Sequence, residues 1–328
     1  MIPLTDLSWQ SRPWQWLLGN SVTDITQLVG ALGLPDMAVA SDFPVLVPLP
    51  YLSRIEPGNP NDPLLLQVLP THAELAGPPG YVEDPLDEQM HSPLPGLLHK
   101  YHGRVLVVVS GACGINCRYC FRRHFPYQDF QPDTARWQDI ARYIVGDPSI
   151  NEVILSGGDP LVLSDKRLAW IAGLLAGIDH VETLRIHTRL PIVIPQRVCD
   201  ALVGWLKESR LRVVVVMHSN HPRELDDEVA AACRRLAQAG ATLLNQSVLL
   251  KGVNDDTDTL VELSRRLSRV GVLPYYLHLL DPVKGAAHFE VEESVARRLV
   301  SEAANRLPGY LVPRLVREVP GAPAKQLR

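Results

Sequence analysis

Residues 104–120 read RVLVVVSGACGINCRYC, a valine-rich run that gives way to a loop with cysteines at 113, 117 and 120. A run without polar alternation belongs to a strand covered on both faces, as in a parallel sheet flanked by helices. Runs of the same kind follow as EVILS (152–156), TLRIH (183–187), RVVVVMH (212–218), ATLLNQSVLL (241–250) and PYYLHLL (274–280). Between them lie SDKRLAWIAGLLAG, IPQRVCDALVGWLKESR, DDEVAAACRRLAQAG and DDTDTLVELSRRLSRVG, several opening on Asp or Ser and closing at Gly, as helix caps require. This alternation predicts an α/β fold, and about six such units suit an open, partial βα barrel better than a flat sheet. In either architecture chemistry collects at the C-terminal ends of the strands.

Upstream the texture changes. Residues 1–95 hold 15 of the 28 prolines, which remove backbone donors and forbid long helices or central strands. They are expected to form a Pro-rich, partly helical extension wrapped on the core, with a short helix near Ser21–Leu34. Residues 96–310 then make the barrel and 311–328 a C-terminal segment.

The chain has 328 residues, 46% of them hydrophobic, with 32 Lys plus Arg against 36 Asp plus Glu. That balance offers no basic surface for a nucleic-acid backbone. No run is apolar for long enough to span a membrane, and MIPLTDLSWQSRPWQW lacks the order of a signal peptide, so a cytoplasmic location is expected. Five cysteines are too few for a disulfide framework in a chain of this size, and three crowd into eight positions.

Cys113, Cys117 and Cys120 form a C-x3-C-x2-C group at a strand end, suited to iron–sulfur or zinc. His124, four residues beyond Cys120, leaves a Cys3His zinc site open. Cys199 and Cys233 lie in helical patterns and read as packing residues. Ser156-Gly157-Gly158-Asp159 ends the second run, where two glycines let backbone approach a ligand and Asp159 can meet an ammonium group. His187, Arg189 and His218 end later runs. By composition Lys325 is an ordinary solvated lysine.

In order, CRYCFRRHF, SGGDPL, RIHTRLPIVIPQR, HSNHPRE, NQSVLLKGVND, PYYLHLLDPVKGAAHF and PGAPAK resemble the lysine 2,3-aminomutase branch of the radical S-adenosylmethionine enzymes. The likeness covers roughly residues 85 to 328 and is nearest to the members that make (R)-β-lysine for elongation factor P. The resemblance implies a [4Fe-4S] cluster on Cys113, Cys117 and Cys120. Ser156, Gly157, Gly158 and Asp159 would hold the amino group of S-adenosylmethionine, with Arg189 and His218, and His187 beside them, toward the nucleotide. It implies pyridoxal 5′-phosphate anchored on Lys325, its phosphate met by Tyr101 and Arg104, and Asn245, Gln246 and Tyr275 along the ring. Lys100 stands where other members have arginine and lacks the bidentate fork. Arg122 would pair with the substrate carboxylate, and Asp281 and Glu318 with the side-chain ammonium of L-lysine.

The implied reaction is an isomerisation: a 5′-deoxyadenosyl radical removes a β-hydrogen from lysine held as an imine on pyridoxal phosphate, and the nitrogen migrates from C2 to C3. The implied partners are an electron donor such as flavodoxin or ferredoxin, and a synthetase-like ligase that passes β-lysine to elongation factor P. Two alternatives stand beside this. One is a catabolic lysine 2,3-aminomutase, whose members continue past the lysine with a cysteine-bearing tail; here Lys325 has three residues after it. The other is a zinc-stabilised binding protein without catalysis.

Overall fold

The computed structural model describes residues 7–34, 37, 39–130 and 132–328, so the first six residues of the expected extension lie outside the description. Among the described residues, nine strands form one sheet whose spatial order is the order of the chain. They are β1 (Leu97–Tyr101), β2 (Arg104–Ser110), β3 (Glu152–Gly157), β4 (Thr183–Thr188), β5 (Arg212–Met217), β6 (Thr242–Val248), β7 (Leu273–His278), β8 (Arg314–Arg317) and β9 (Gln326–Leu327). From β2 to β8 every pairing is parallel. β1 and β9 add antiparallel strands at the two ends and do not pair with each other. Parallel strands that never reverse their order describe a barrel winding, here left open.

The six runs read from the sequence are β2 to β7. The sheet extends beyond them on both sides, because β1 (LLHKY) and β8 (RLVR) are short and carry charge, and their pairing supplies what their composition does not. The C-terminal segment is thereby part of the sheet.

Between strands, the helices Thr134–Val145, Asp165–Ala176, Asp227–Gln238 and Thr257–Arg269 begin on Asp133, Ser164, Asp226 and Asp256. Each cap side chain accepts the N–H three residues on, satisfying a donor the helix leaves open. The helix expected across 194–210 is shorter. Pro195 opens a single 3-10 turn to Arg197, and the helix proper runs Asp200–Glu208 with Cys199 at its cap.

Along β4 the exposure alternates. Leu184 and Ile186 are buried in the main apolar cluster, whereas Arg185 and His187 point to the barrel interior and line its cavity. The extension is built into the same cluster, with Trp14, Leu28, Tyr51 and Leu65 beside Val105, Val153 and Leu184.

Candidate active site

The cysteine loop leaves the end of β2 and runs against the end of β3. Gly158 N–H donates to the Ser110 carbonyl at 2.7 Å and Asp159 N–H to the Ala112 carbonyl at 2.8 Å. A Cβ on Gly157, whose φ is +128°, would lie 2.4 Å from the Ser110 oxygen, and one on Gly158 would lie 2.3 Å from the Ala112 oxygen. The glycine pair is required by the contact between two strand ends, as well as by any ligand.

Asp159 corrects an expectation. Its buried carboxylate accepts from the Thr188 hydroxyl at 2.7 and 2.9 Å, and from the backbone N–H groups of Arg189 (2.7 Å), Leu190 (3.0 Å) and Leu161 (2.9 Å). Those donors fasten β3 to β4 and leave no oxygen directed at an ammonium group.

Residues of the extension grip the cysteine loop from outside. Asn116 N–H donates to the Leu46 carbonyl (3.0 Å) and Arg118 N–H to that of Gln67 (2.9 Å). The fully buried Arg118 guanidinium is paired with Glu74, which also takes Arg123 at 2.9 Å. Arg189, expected to face the nucleotide, lines the cavity, but its guanidinium is held by protein groups. Its Nη1 lies 2.7 Å from both Cys117 Sγ and the Tyr119 oxygen, and its Nη2 donates to Gln67 (2.7 Å) and Glu224 (3.0 Å).

Burial pushes the Cys113 thiol up, and that of Cys120 to about 12. Thiolates in that setting need a cationic partner, which iron supplies, so the donor set fits a cluster. The fourth ligand of the zinc alternative is elsewhere: exposed His124 has Nε2 3.2 Å from the Lys284 carbonyl. Among the described residues, no group of three or more His, Cys, Asp or Glu is gathered about one metal-ion position.

All three cysteines open on a cavity of about 390 Å³ that also reaches residues 156–159, Arg122, Arg189, His218, Gln246, Tyr275, Asp281, Glu318 and Lys325. On its floor the His187 and His218 rings meet edge to face, 5.7 Å between centroids, with Gln246 Nε2 2.9 Å from His218 Nε2. Burial lowers the pKa of His218 to about 3 and pulls those of His187 and His278 below the usual range, so all three are neutral near pH 7. His187 Nε2 is buried without a protein partner.

Asn245, expected beside Gln246 along the ring, faces the other way. It accepts from Ser219 N–H (2.9 Å) and donates to the Ser219 carbonyl (3.0 Å), locking β6 to the loop after β5. Successive strand residues point to opposite faces, so only one of the pair can reach the cavity.

From Arg122, two residues past Cys120, to Lys325 the wall carries alternating charge. Arg122 Nε and Nη2 donate to Glu88 at 2.6 and 2.9 Å. Glu88 Oε1 lies 3.3 Å from Lys100 Nζ, which is also 3.3 Å from Glu318 Oε1. Glu318 Oε2 in turn lies 2.9 Å from Lys325 Nζ. Arg122 therefore does not present a free fork, and Lys100 is spent on two carboxylates rather than left for a phosphate.

Asp281 differs from its neighbours. One of its oxygens is buried without a hydrogen-bond partner, and burial together with the Glu318 carboxylate raises its pKa to about 7. Such a group is completed by a ligand cation. The Arg104 guanidinium lies 4.8 Å over the Tyr101 ring at the cavity wall, with no carboxylate paired to it among the described residues. With Lys325 Nζ facing the same space, these groups fit an aldehyde cofactor bearing a phosphate.

Glu88, Gln67, Glu224 and His278 escaped the sequence reading. His278 ends β7 as His187 and His218 sit near the ends of theirs, a signal that was there to read. The acidic and amide residues carry none, since their partners are 34 to 157 residues away.

Residues 107–264 match the radical SAM superfamily. The chain is 46% identical to the "L-lysine 2,3-aminomutase" of Escherichia coli (strain K12), over 99% of this chain and 97% of that protein. It is 45% identical to the protein of the same name in Haemophilus influenzae, over 100% and 98%. With that of Clostridium subterminale the identity is 38%, over 98% of this chain and 78% of the relative.

Proposed function

This chain belongs to the lysine 2,3-aminomutase family of radical SAM proteins, and from that premise we propose that it moves the α-amino group of L-lysine to the β-carbon to give (R)-β-lysine. The observation that carries the proposal is a single cavity joining the cysteine loop to Lys325 and Asp281. When bound, the cluster with S-adenosylmethionine supplies one-electron hydrogen abstraction, and pyridoxal phosphate supplies an aldehyde and a conjugated ring that stabilises an unpaired electron.

The chain's own residues do the rest. Cys113, Cys117 and Cys120 would hold the cluster, and the backbone of Ser156–Gly158, lining the same cavity, would meet S-adenosylmethionine. Neutral His218 and Gln246 face the nucleotide. Arg104 and Tyr101 would take the phosphate, and Tyr275 would line the ring.

Lys325 must be a neutral amine to attack an aldehyde. Glu318 Oε2 at 2.9 Å and His278 Nε2 at 3.5 Å fix where Nζ sits in the cavity. Arg122 anchors the α-carboxylate of the substrate, and Asp281 and Glu318 receive its side-chain ammonium. The apolar and aromatic walls keep water from a reactive intermediate.

We extend the proposal to the cell. The product serves modification of elongation factor P through a synthetase-like ligase, the electron comes from a flavodoxin or ferredoxin, and the site of action is the cytoplasm. The motifs from CRYCFRRHF to PGAPAK support this extension.

Anaerobic incubation of the iron- and pyridoxal-loaded protein with S-adenosylmethionine, a reductant and L-lysine, followed by chiral analysis, tests the reaction. (R)-β-lysine is expected; recovery of L-lysine alone would sink the proposal. Supplying ligase and elongation factor P then tests the cellular role by the mass added to the factor.

A further inference from the structure

Glu88 comes from the segment before the barrel, yet its side chain is almost fully buried in the cavity wall. It opens the 3-10 turn Glu88–His91, directly after Asp87, whose φ of +47° is the single left-handed non-glycine conformation among the described residues. A backbone conformation that side chains rarely adopt is thus kept at the point that delivers this carboxylate to the site.

Glu88 takes the Nε–Nη2 edge of Arg122, and Arg122 Nη1 is turned to Ser156 Oγ (2.9 Å) and the Gly157 carbonyl (3.4 Å). Of the five guanidinium N–H groups, one on Nη2 is left. The same carboxylate meets Lys100, and Lys100 meets Glu318. One chain of ion pairs, Arg122–Glu88–Lys100–Glu318, thus runs between two residues assigned to opposite ends of the substrate.

We propose that Glu88 is a specificity-determining positioning residue, which aims the one open Nη2 N–H of Arg122 at the substrate α-carboxylate and, through Lys100, sets its distance from the ammonium acceptor Glu318. This inference rests on the reading of Arg122 and Glu318 as the two anchors. The preferred ligand is an α-amino acid whose side-chain ammonium lies at the separation of lysine, and ornithine, one methylene shorter, reaches only one anchor at a time. Ion pairs in a water-poor wall hold such a spacing more firmly than exposed ones, because neither partner has solvent to turn to.

The test uses the holoenzyme with Glu88→Gln, Glu88→Asp and Lys100→Gln, read by steady-state kinetics and by calorimetric binding of L-lysine and L-ornithine without S-adenosylmethionine. Glu88→Gln keeps the shape and removes the charge. It should raise KM for lysine by about tenfold or more, with a smaller change in kcat, and should cut the lysine-to-ornithine preference by about fivefold. Iron content and cofactor absorbance should stay as in the parent.

Glu88→Asp, which keeps the carboxylate and its fold, should fall between the two. Lys100→Gln should lower the preference while leaving the Arg122 clamp. Unchanged KM in Glu88→Gln, or an equal loss for both amino acids in all three variants, would overturn the proposal. A parent protein that binds lysine without turning it over would sink the aminomutase reading, while the calorimetric ratio would still decide the part played by Glu88.

Discussion

The two sides of the cavity are built differently. On the cysteine side the protein closes its polar groups on one another: Asp159 on β4, Arg118 on Glu74, Arg189 on Gln67 and Glu224. From the end of the cysteine loop at Arg122 across to Lys325, side-chain charges alternate instead, and Asp281 is left with a buried, unpartnered oxygen. A wall that holds a permanent group gains from rigidity, whereas a wall that receives and releases a zwitterion must leave charge to be completed by it.

The largest effect that would break this contrast is at Cys117. Cys117→Ala should abolish cluster assembly and turnover, whereas Cys233→Ala, in a helix and fully buried, should keep both; iron counting after reconstitution decides. Next, Lys325→Ala should lose the pyridoxal absorbance and the activity while retaining iron. Loss of iron as well would mean that the two walls are not independent.

Asp281→Asn sharpens the contrast at the level of the substrate. Removing a charged partner at a desolvated site costs roughly 2–5 kcal/mol, or about thirtyfold to a few thousandfold in kcat/KM for lysine. Cluster and cofactor content should not change, and unaltered kinetics would place Asp281 outside the substrate site. Glu74→Gln should act on the other wall. Stripping a buried pair of one member costs about 3–5 kcal/mol, so thermal unfolding should come earlier and iron uptake should fall, with the lysine KM little changed.

The smallest expected effect is the pH dependence of Asp281. Its folded pKa of about 7 lies above the ordinary 3.8. The stability it contributes is therefore full at acid pH and lost as pH rises through about 7. Without substrate, the stability of Asp281→Asn should gain on the parent between pH 5 and pH 8 by roughly 2–3 kcal/mol, read as a relative rise in unfolding temperature. A bound ammonium favours the ionised carboxylate, so the lysine KM of the parent should rise as pH falls below about 7. A gap that stays flat with pH would contradict the burial of this carboxylate.

Much of the fold was legible because uninterrupted valine runs and Asp or Ser caps are local signals, and β2 to β7 stand where those runs are. β1 and β8 were not, since short charged strands are held by their neighbours. At the site, the cysteine spacing and the glycine pair could be read directly, but the reason for the glycines was only half visible. Their approach to Ser110 and Ala112 joins segments nearly fifty residues apart. Asn245 shows the limit of a strand-end reading, because a shift of one residue turns a side chain from cavity to helix layer.

By itself, then, the order of residues determined the class of fold, the cysteine loop at a strand end and the family the chain belongs to, because each is written in spacing along the backbone. The tertiary structure decided which partners the charged residues keep. Asp159 went to the β4 backbone, Arg122 to Glu88 and Lys100 to two carboxylates, and Asp281 was left with an open oxygen. Charge pairing in a buried wall depends on distances of a few ångströms between groups far apart in the chain, and it follows from the closed set of neighbours that burial imposes.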